Sequence, residues 1–283
     1  MKKTIILLTL AAIFVLVACG SNSVNNAIES YDLSEYRKQG SGLLFSNLAT
    51  VRSQNTVRNV LLNAGADRAA VDDVFAWVNI FNALADDDGL LYGTFTQTDS
   101  NYVVYDMEVE WQENDVLDYD VNCHAVAFHL LRSFITVDNP VIEDISNAGS
   151  GAMMPLQIHS NVEWSQEERN GFISVFDLLF GITESEEETA DAIIMAWAER
   201  GVTFGESKLS LVSVWSGSWV IHSAVLVELD EGLLLFEKTN PLMPFQASIF
   251  NNAAEVREYM VDQMYSYGLS DAMIVVMRND VML

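Results

Sequence analysis

Cys123, His222 and Glu237 are the residues of this chain whose types suit covalent chemistry. A thiolate is a strong nucleophile, an imidazole takes and returns a proton near neutral pH, and a carboxylate can fix the imidazole's tautomer. Cysteine is scarce, with two in 283 residues, Cys19 and Cys123. Cys123 follows Asn122, a good helix N-cap type, and precedes Val126, Ala127, Leu130, Leu131 and Phe134 at helical spacing. The thiol therefore falls in a first helical turn, where the helix dipole favours its ionised form. Backbone N–H groups of that turn suit an oxyanion, with Asn122 or Gln112 as a side-chain donor. Each residue also has a purely structural reading. A lone cysteine on an apolar stripe can be core, His222 can bond a backbone carbonyl, and Glu237 can pair with Lys238 or Arg257. Asp118 and Asp120 count against an activated thiol, because nearby carboxylates oppose its ionisation. His124, His129 and His159 lack metal-ligand spacing, and no phosphate-binding or nucleotide-binding glycine motif occurs, so neither a metal nor another cofactor is expected.

The elements that must position these residues follow from hydrophobic periodicity. A helix is predicted over 53–64, with Val57, Val60, Leu61 and Ala64 on one face and Gly65 as its stop. A second runs over 69–84 through Val71, Val74, Phe75, Val78 and Phe81. The acidic run Asp86-Asp87-Asp88-Gly89 after it resembles part of a calcium loop, but the twelfth position is Phe95, so it reads as a polar turn. Strict alternation over 103–111 predicts a half-buried strand with an acidic outer side. Capping boxes, Ser165 with Glu168 and Ser185 with Glu188, open two helices in the middle of the chain. Phe172, Ile173, Phe176, Leu179 and Phe180 line the first; Ala190, Ile193, Ile194 and Trp197 line the second, which stops at Gly201. Strand patterns over 208–215, 219–229 and 233–238, joined by short turns, predict an antiparallel meander. A loop broken by Pro241 and Pro244, a helix over 253–267 and a strand over 272–278 complete the chain.

The fold class expected is α+β, with helical N-terminal and middle segments packed on an antiparallel sheet. A helix opening with the cysteine, a later strand with the histidine and the next strand with its polar partner resembles the order in papain-like thiol hydrolases, including those that cut cell-wall peptides. That resemblance implies a papain-like cysteine hydrolase core with Cys123, His222 and Glu237 as its catalytic residues. The chain also resembles a family of uncharacterised bacterial lipoproteins known as domain of unknown function 4300. The likeness rests on Phe45-Ser46-Asn47-Leu48, Phe75-Ala76-Trp77-Val78-Asn79, Phe81-Asn82, Asn122-Cys123, His222 and Phe236-Glu237-Lys238. The family pattern carries Arg after the cysteine, where this chain has His124, so the role of position 124 stays open. No activity comes with the family, only the implication that Asn122, Cys123, His222 and Glu237 belong to a recurring pattern.

Lys2 and Lys3, an uncharged apolar run from Ile5 to Val17, and Leu16-Val17-Ala18-Cys19-Gly20 read as a signal with a bacterial lipobox. The run is too short to span a bilayer, which takes about 20 apolar residues. The organisation expected is a signal peptide over 1–18, a tether lipid-anchored at Cys19 over 19–42, and one α+β domain over 43–283. The address is the extracytoplasmic face of a cell membrane. Lipid on Cys19 leaves Cys123 without a disulfide partner. Fourteen basic against 40 acidic residues give a net charge of −26, which excludes nucleic acid as a partner and suits a solvated, polyanion-repelling surface. Two functions remain from these residues: a tethered thiol amidase or peptidase acting on peptides or cell-wall peptide stems, or a non-catalytic surface lipoprotein that binds or scaffolds, with Cys123 in its core.

Overall fold

The computed structural model describes residues 32, 33, 36, 38–85, 92–103, 121–142, 164–178, 180–239, 243–269 and 272–283. Cys19 with the signal and tether, the turn at 86–89, nearly all of the 103–111 strand, Gln112, Asp118, Asp120 and His159 lie outside them. Among the described residues no helix is long and apolar enough to cross a membrane.

The chain is a mixed α and β structure built on one eight-stranded antiparallel sheet. Its strands are β1 (Leu44–Ser46), β2 (Thr96–Gln97), β5 (Leu209–Ser216), β6 (Trp219–Glu228), β7 (Leu233–Lys238), β8 (Phe245–Phe250), β9 (Val275–Arg278) and β10 (Val281–Met282). They lie in the order β10-β9-β5-β6-β7-β8-β1-β2. A separate pair joins β3 (Ile135–Val137) to β4 (Val202–Phe204). The helices are α1 (Val51–Asn63), α2 (Arg68–Ala85), α3 (Cys123–Leu131), α4 (Gln166–Phe176), α5 (Glu186–Glu199) and α6 (Ala253–Ser266).

Two apolar layers sandwich the sheet, which is why β7 is buried along its whole length. On one face Val225, Val227, Leu234 and Phe236 meet Val71, Phe75, Ala125 and Phe128 of the helices. On the other, Ala224, Leu226 and Leu235 meet Val256, Tyr259 and Met260 of α6. Strand residues alternate between the layers. Burying a side chain such as Phe236 contributes about 1.5–3 kcal/mol.

The meander β5-β6-β7 follows the sequence pattern to within a residue or two. The larger sheet does not, because β8 occupies the stretch expected as a Pro-broken loop. Phe245, Ala247 and Ile249 alternate with Gln246 and Ser248 as a strand does, but Pro241 and Pro244 just before them make the stretch read as loop; all six residues of β8 are buried. Helix α1 starts two residues before the predicted position, because Thr50 accepts from Ser53 N and caps it. Gly65, at φ +103, ends that helix turn as expected. Helix α4 stops at Phe176, short of the predicted Phe180, with Asp177 leaving helical geometry at its C-cap. Its capping box is complete. The one predicted for α5 is half formed: Ser185 accepts from Glu188 N, but the Glu188 carboxylate takes its proton donor from Glu184 N.

Candidate active site

Helix α3 begins at Cys123 because the Asn122 side-chain oxygen accepts from Ala125 N at 2.8 Å and holds the first turn closed. The first-turn N–H groups of Cys123 and His124 are of the kind a helix leaves without intrahelical acceptors. His222 and Glu237 come from neighbouring strands. Glu237 of β7 faces Ala224 of β6 in register, so His222 lies one diagonal step away on the same face. Ala224 is small enough to leave that diagonal open. A β-bulge in β6, between the Val214–His222 and Trp215–Val220 pairs, re-aims the chain just before His222.

His222 Nε2 and Glu237 Oε2 are 2.6 Å apart in a setting where His222 is 2 % and Glu237 1 % exposed. Cys123 lies close enough to His222 that the thiol and the imidazole shift each other's protonation strongly. With Nε2 committed to Glu237, Nδ1 is the nitrogen left for the sulfur. Burial by itself raises the Cys123 pKa. The electrostatic pull and hydrogen bonds of His124 and His222 outweigh it and hold the thiol well below its ordinary value. Burial likewise opposes a charge on His222, but the negative Cys123 and then Glu237 push its pKa up to about 10. Each shift is the one that a neighbouring opposite charge produces in a dry site, the thiol toward thiolate and the imidazole toward imidazolium.

The three residues singled out by type and order thus meet in one buried cluster. The structural alternatives for two of them do not hold: His222 bonds a carboxylate instead of a backbone carbonyl, and Arg257 pairs with Glu186, 2.7 Å away. Lys238 points to the opposite layer, where its ammonium lies 3.7 Å from the Phe81 ring centroid and donates to Met243 O. Asn122 is present as a cap, with its amide oxygen committed to Ala125 N. Gln112 lies outside the described residues.

Sequence reasoning missed four neighbours. His124 places Nδ1 3.8 Å from the Cys123 sulfur and 2.7 Å from Ser223 Oγ. Ser223 belongs to the layer opposite His222, so Cys123 and His124 together straddle the end of β6. Tyr259 of α6 donates its hydroxyl to Glu237 Oε1 at 2.6 Å, and Gln246 Nε2 donates to the Tyr259 oxygen at 2.9 Å. For Gln246 the signal was the polar alternation of β8; for Tyr259 nothing local distinguishes it from core.

A family model described as a domain of unknown function, DUF4300, matches residues 44–283. The chain belongs to the DUF4300 family. No curated protein and no solved structure matches it. The residues that carried the DUF4300 likeness touch one another across the fold. Phe75 stacks on Phe236 with centroids 6.1 Å apart, and Phe81 lies under Lys238. Asn82 Nδ2 donates to Leu48 O at 2.9 Å, as does Gln54 Nε2. Leu48 sits at φ +60, a costly geometry for a branched residue, and the Ser46 hydroxyl accepting from its N–H helps hold it there. In this DUF4300 chain, β1 therefore ends in a fixed corner beside the start of β8, at the sheet end that also carries Glu237 and His222.

Proposed function

We propose that this protein is a thiol hydrolase of papain-like catalytic order, an amidase or peptidase held at the cell surface by lipid on Cys19. The observation that carries the reading is His222, bonded to the Glu237 carboxylate and close enough to the Cys123 thiol for each to shift the other's protonation. A core cysteine would have apolar neighbours, whereas this one, although only 6 % exposed, has two imidazoles.

The residues divide the chemistry among them. The Cys123 thiolate attacks an amide carbonyl carbon, forming the C–S bond while the carbonyl π electrons move to oxygen. The oxyanion is met by first-turn N–H groups and by the NH2 end of Asn122. The His222 imidazolium gives its proton to the amide nitrogen as the C–N bond breaks, and an amine leaves with a thioester on Cys123. His222, now neutral, takes a proton from water, whose oxygen attacks the thioester carbonyl. The carboxylic acid departs and thiolate with imidazolium is restored. Glu237 keeps the imidazole oriented throughout. Tethering beneath a cell wall makes peptides and cell-wall peptide stems the substrates within reach.

Purified protein incubated with a peptide library and with solubilised cell-wall stem peptides, read by mass spectrometry, tests this. Cleavage by the wild type and none by Cys123→Ala is expected, together with an acyl adduct on Cys123 after rapid acid quench. Equal products from both proteins, or a Cys123 thiol titrating at its ordinary value, would leave the second reading, a non-catalytic surface lipoprotein. Cys19→Ser is expected to release the protein from the membrane fraction; retention there sinks the anchor.

A further inference from the structure

We propose that Tyr259 and Gln246 are positioning residues of the thiol site, a hydrogen-bond relay that holds the Glu237 carboxylate aimed at His222; this rests on the hydrolase reading above. Glu237 is buried and bonds His222 through Oε2, which leaves Oε1 in a dry site in need of its own donor. A buried carboxylate oxygen without a donor costs free energy, and the hold of Glu237 on His222 would weaken with it.

The direction of every proton in the relay is determined by donor chemistry. An amide NH2 can only donate, and Gln246 Nε2 lies 2.9 Å from both Ser248 Oγ and Tyr259 Oη, so its two hydrogens are committed. The Tyr259 oxygen therefore accepts, and its own hydrogen turns to Glu237 Oε1, 2.6 Å away. That length is typical of a hydroxyl donating to a charged carboxylate. Glu237 Oε2 takes His222, so each carboxylate oxygen has a dedicated donor. The elements supply the geometry: Gln246 and Glu237 are in-register partners on β8 and β7, and their side chains share the α6 face with Tyr259. Gln246 is 0 %, Tyr259 2 % and Glu237 1 % exposed, so water does not replace these donors.

Tyr259→Phe keeps the ring against Phe250, whose centroid is 5.3 Å away, and removes only the hydroxyl. The readout is thiolate absorbance near 240 nm, taken as the difference from the matching Cys123→Ala protein across pH. A hydrogen bond to a charged group lost from the cluster moves its acid limb upward by about 1–2 pH units. Gln246→Met, which frees the Tyr259 hydroxyl to rotate, moves the same limb in the same direction by less. Should Tyr259→Phe fail to fold, Gln246→Met carries the test alone. An acid limb unmoved, or moved downward, in a folded variant overturns the relay. An ordinary thiol titration in the wild type overturns the hydrolase reading and the relay with it, so the two failures differ in which protein shows them.

Discussion

Helix α3 bears on two histidine clusters, one at its start and one at its end, and they protonate in opposite senses. At the start, His222 faces Cys123 and Glu237 and is pushed toward imidazolium. At the end, His129 Nε2 lies 3.0 Å from Asp73 Oδ2, also a carboxylate, yet its pKa is lowered. Burial is the largest cause, the Arg132 guanidinium the next, and the carboxylates of Asp73 and Glu168 only oppose them. The Trp164 indole N–H donates to His129 Nδ1 at 2.9 Å. Indole is a donor only, so that nitrogen must be bare and His129 neutral, with its one proton directed to Asp73. A carboxylate partner alone thus does not decide a buried histidine's charge. The second neighbour does: a thiolate at one end of the helix, an indole and a guanidinium at the other.

The strongest way to break this contrast is to remove each imidazole in turn and watch the thiol. His222→Ala removes one of the two imidazoles that hold the thiol down, so the Cys123 pKa should rise by at least about one pH unit while His124 keeps the rest of the depression. The acid limb of the thiolate absorbance should move up accordingly, while His129→Ala leaves it in place. Equal shifts from both variants would mean that helix integrity, and not the imidazole, sets the thiol's charge.

That first cluster could be found in the sequence because each member carried a local mark. Asn122 is a cap type before an apolar helical stripe, and His222 and Glu237 each sit on a run whose alternation declares a strand. Consecutive antiparallel strands pair, so the order of residues became proximity. The rest had no such mark. Gln246 stands on a strand that follows two prolines and reads as loop, and Tyr259 is one aromatic among the apolar residues of α6. The His129 cluster draws Asp73, Arg132 and Trp164 from three separate stretches, and its chemistry is a long-range packing outcome that no spacing encodes. The helix ends erred where capping chose between near-equal residues, as with Thr50 over Ser53 and with the Glu188 carboxylate turning to Glu184 N.

Trp164→Phe sharpens the second half of the comparison. It leaves a ring to pack against Phe128 and Phe172 but removes one of the two donors, indole and guanidinium, that meet Nδ1. Arg132 Nη1 still donates to that nitrogen, so the variant loses one of its two hydrogen bonds, about 0.5–1.5 kcal/mol, read as a lower urea midpoint. The His129 pKa should rise in a histidine NMR titration, and should rise again in Arg132→Gln, with His222 unmoved in both. A falling His129 pKa would reverse the assignment of its neutral tautomer.

The two clusters also divide the pH dependence of folding. A lowered histidine contributes stability that is complete above its ordinary value of 6.5 and is lost as pH falls, and this is His129. The raised His222 contributes fully below 6.5 and loses its contribution as pH climbs toward about 10. The lowered Cys123 contributes fully above its ordinary 9.0 and loses it as pH falls. Between 6.5 and 9.0 the slopes of the pair cancel, because folded and unfolded chains each hold one proton on it. Stability should therefore be level there, fall below 6.5 from both clusters, and fall above 9.0 from the thiol pair alone, at about 1.4 kcal/mol per pH unit for each proton. Cys123→Ser should abolish the alkaline fall and roughly halve the acid one, leaving the share of His129, measured by urea unfolding at pH 5, 7.5 and 9.5. An alkaline fall that survives the substitution belongs to some other group.

The smallest effect separates the cap from the charge it helps to hold. Asn122→Ala removes the acceptor for Ala125 N and should cost about 1 kcal/mol of folding stability, whereas Asn122→Ser, an equally good cap, should cost a few tenths. If the helix start contributes its dipole to the thiolate, fraying the first turn weakens that field, a contribution of about 0.3–2 kcal/mol by the usual range. The thiolate's acid limb should then move up by no more than about one pH unit in Asn122→Ala and stay in place in Asn122→Ser. No cap change should alter the His129 titration, because the dipole's influence falls away within the first turn and His129 stands near the other end. A limb that moves as far in Asn122→Ser as in Asn122→Ala would mean that the Asn122 amide itself, and not the helix it caps, stabilises the sulfur.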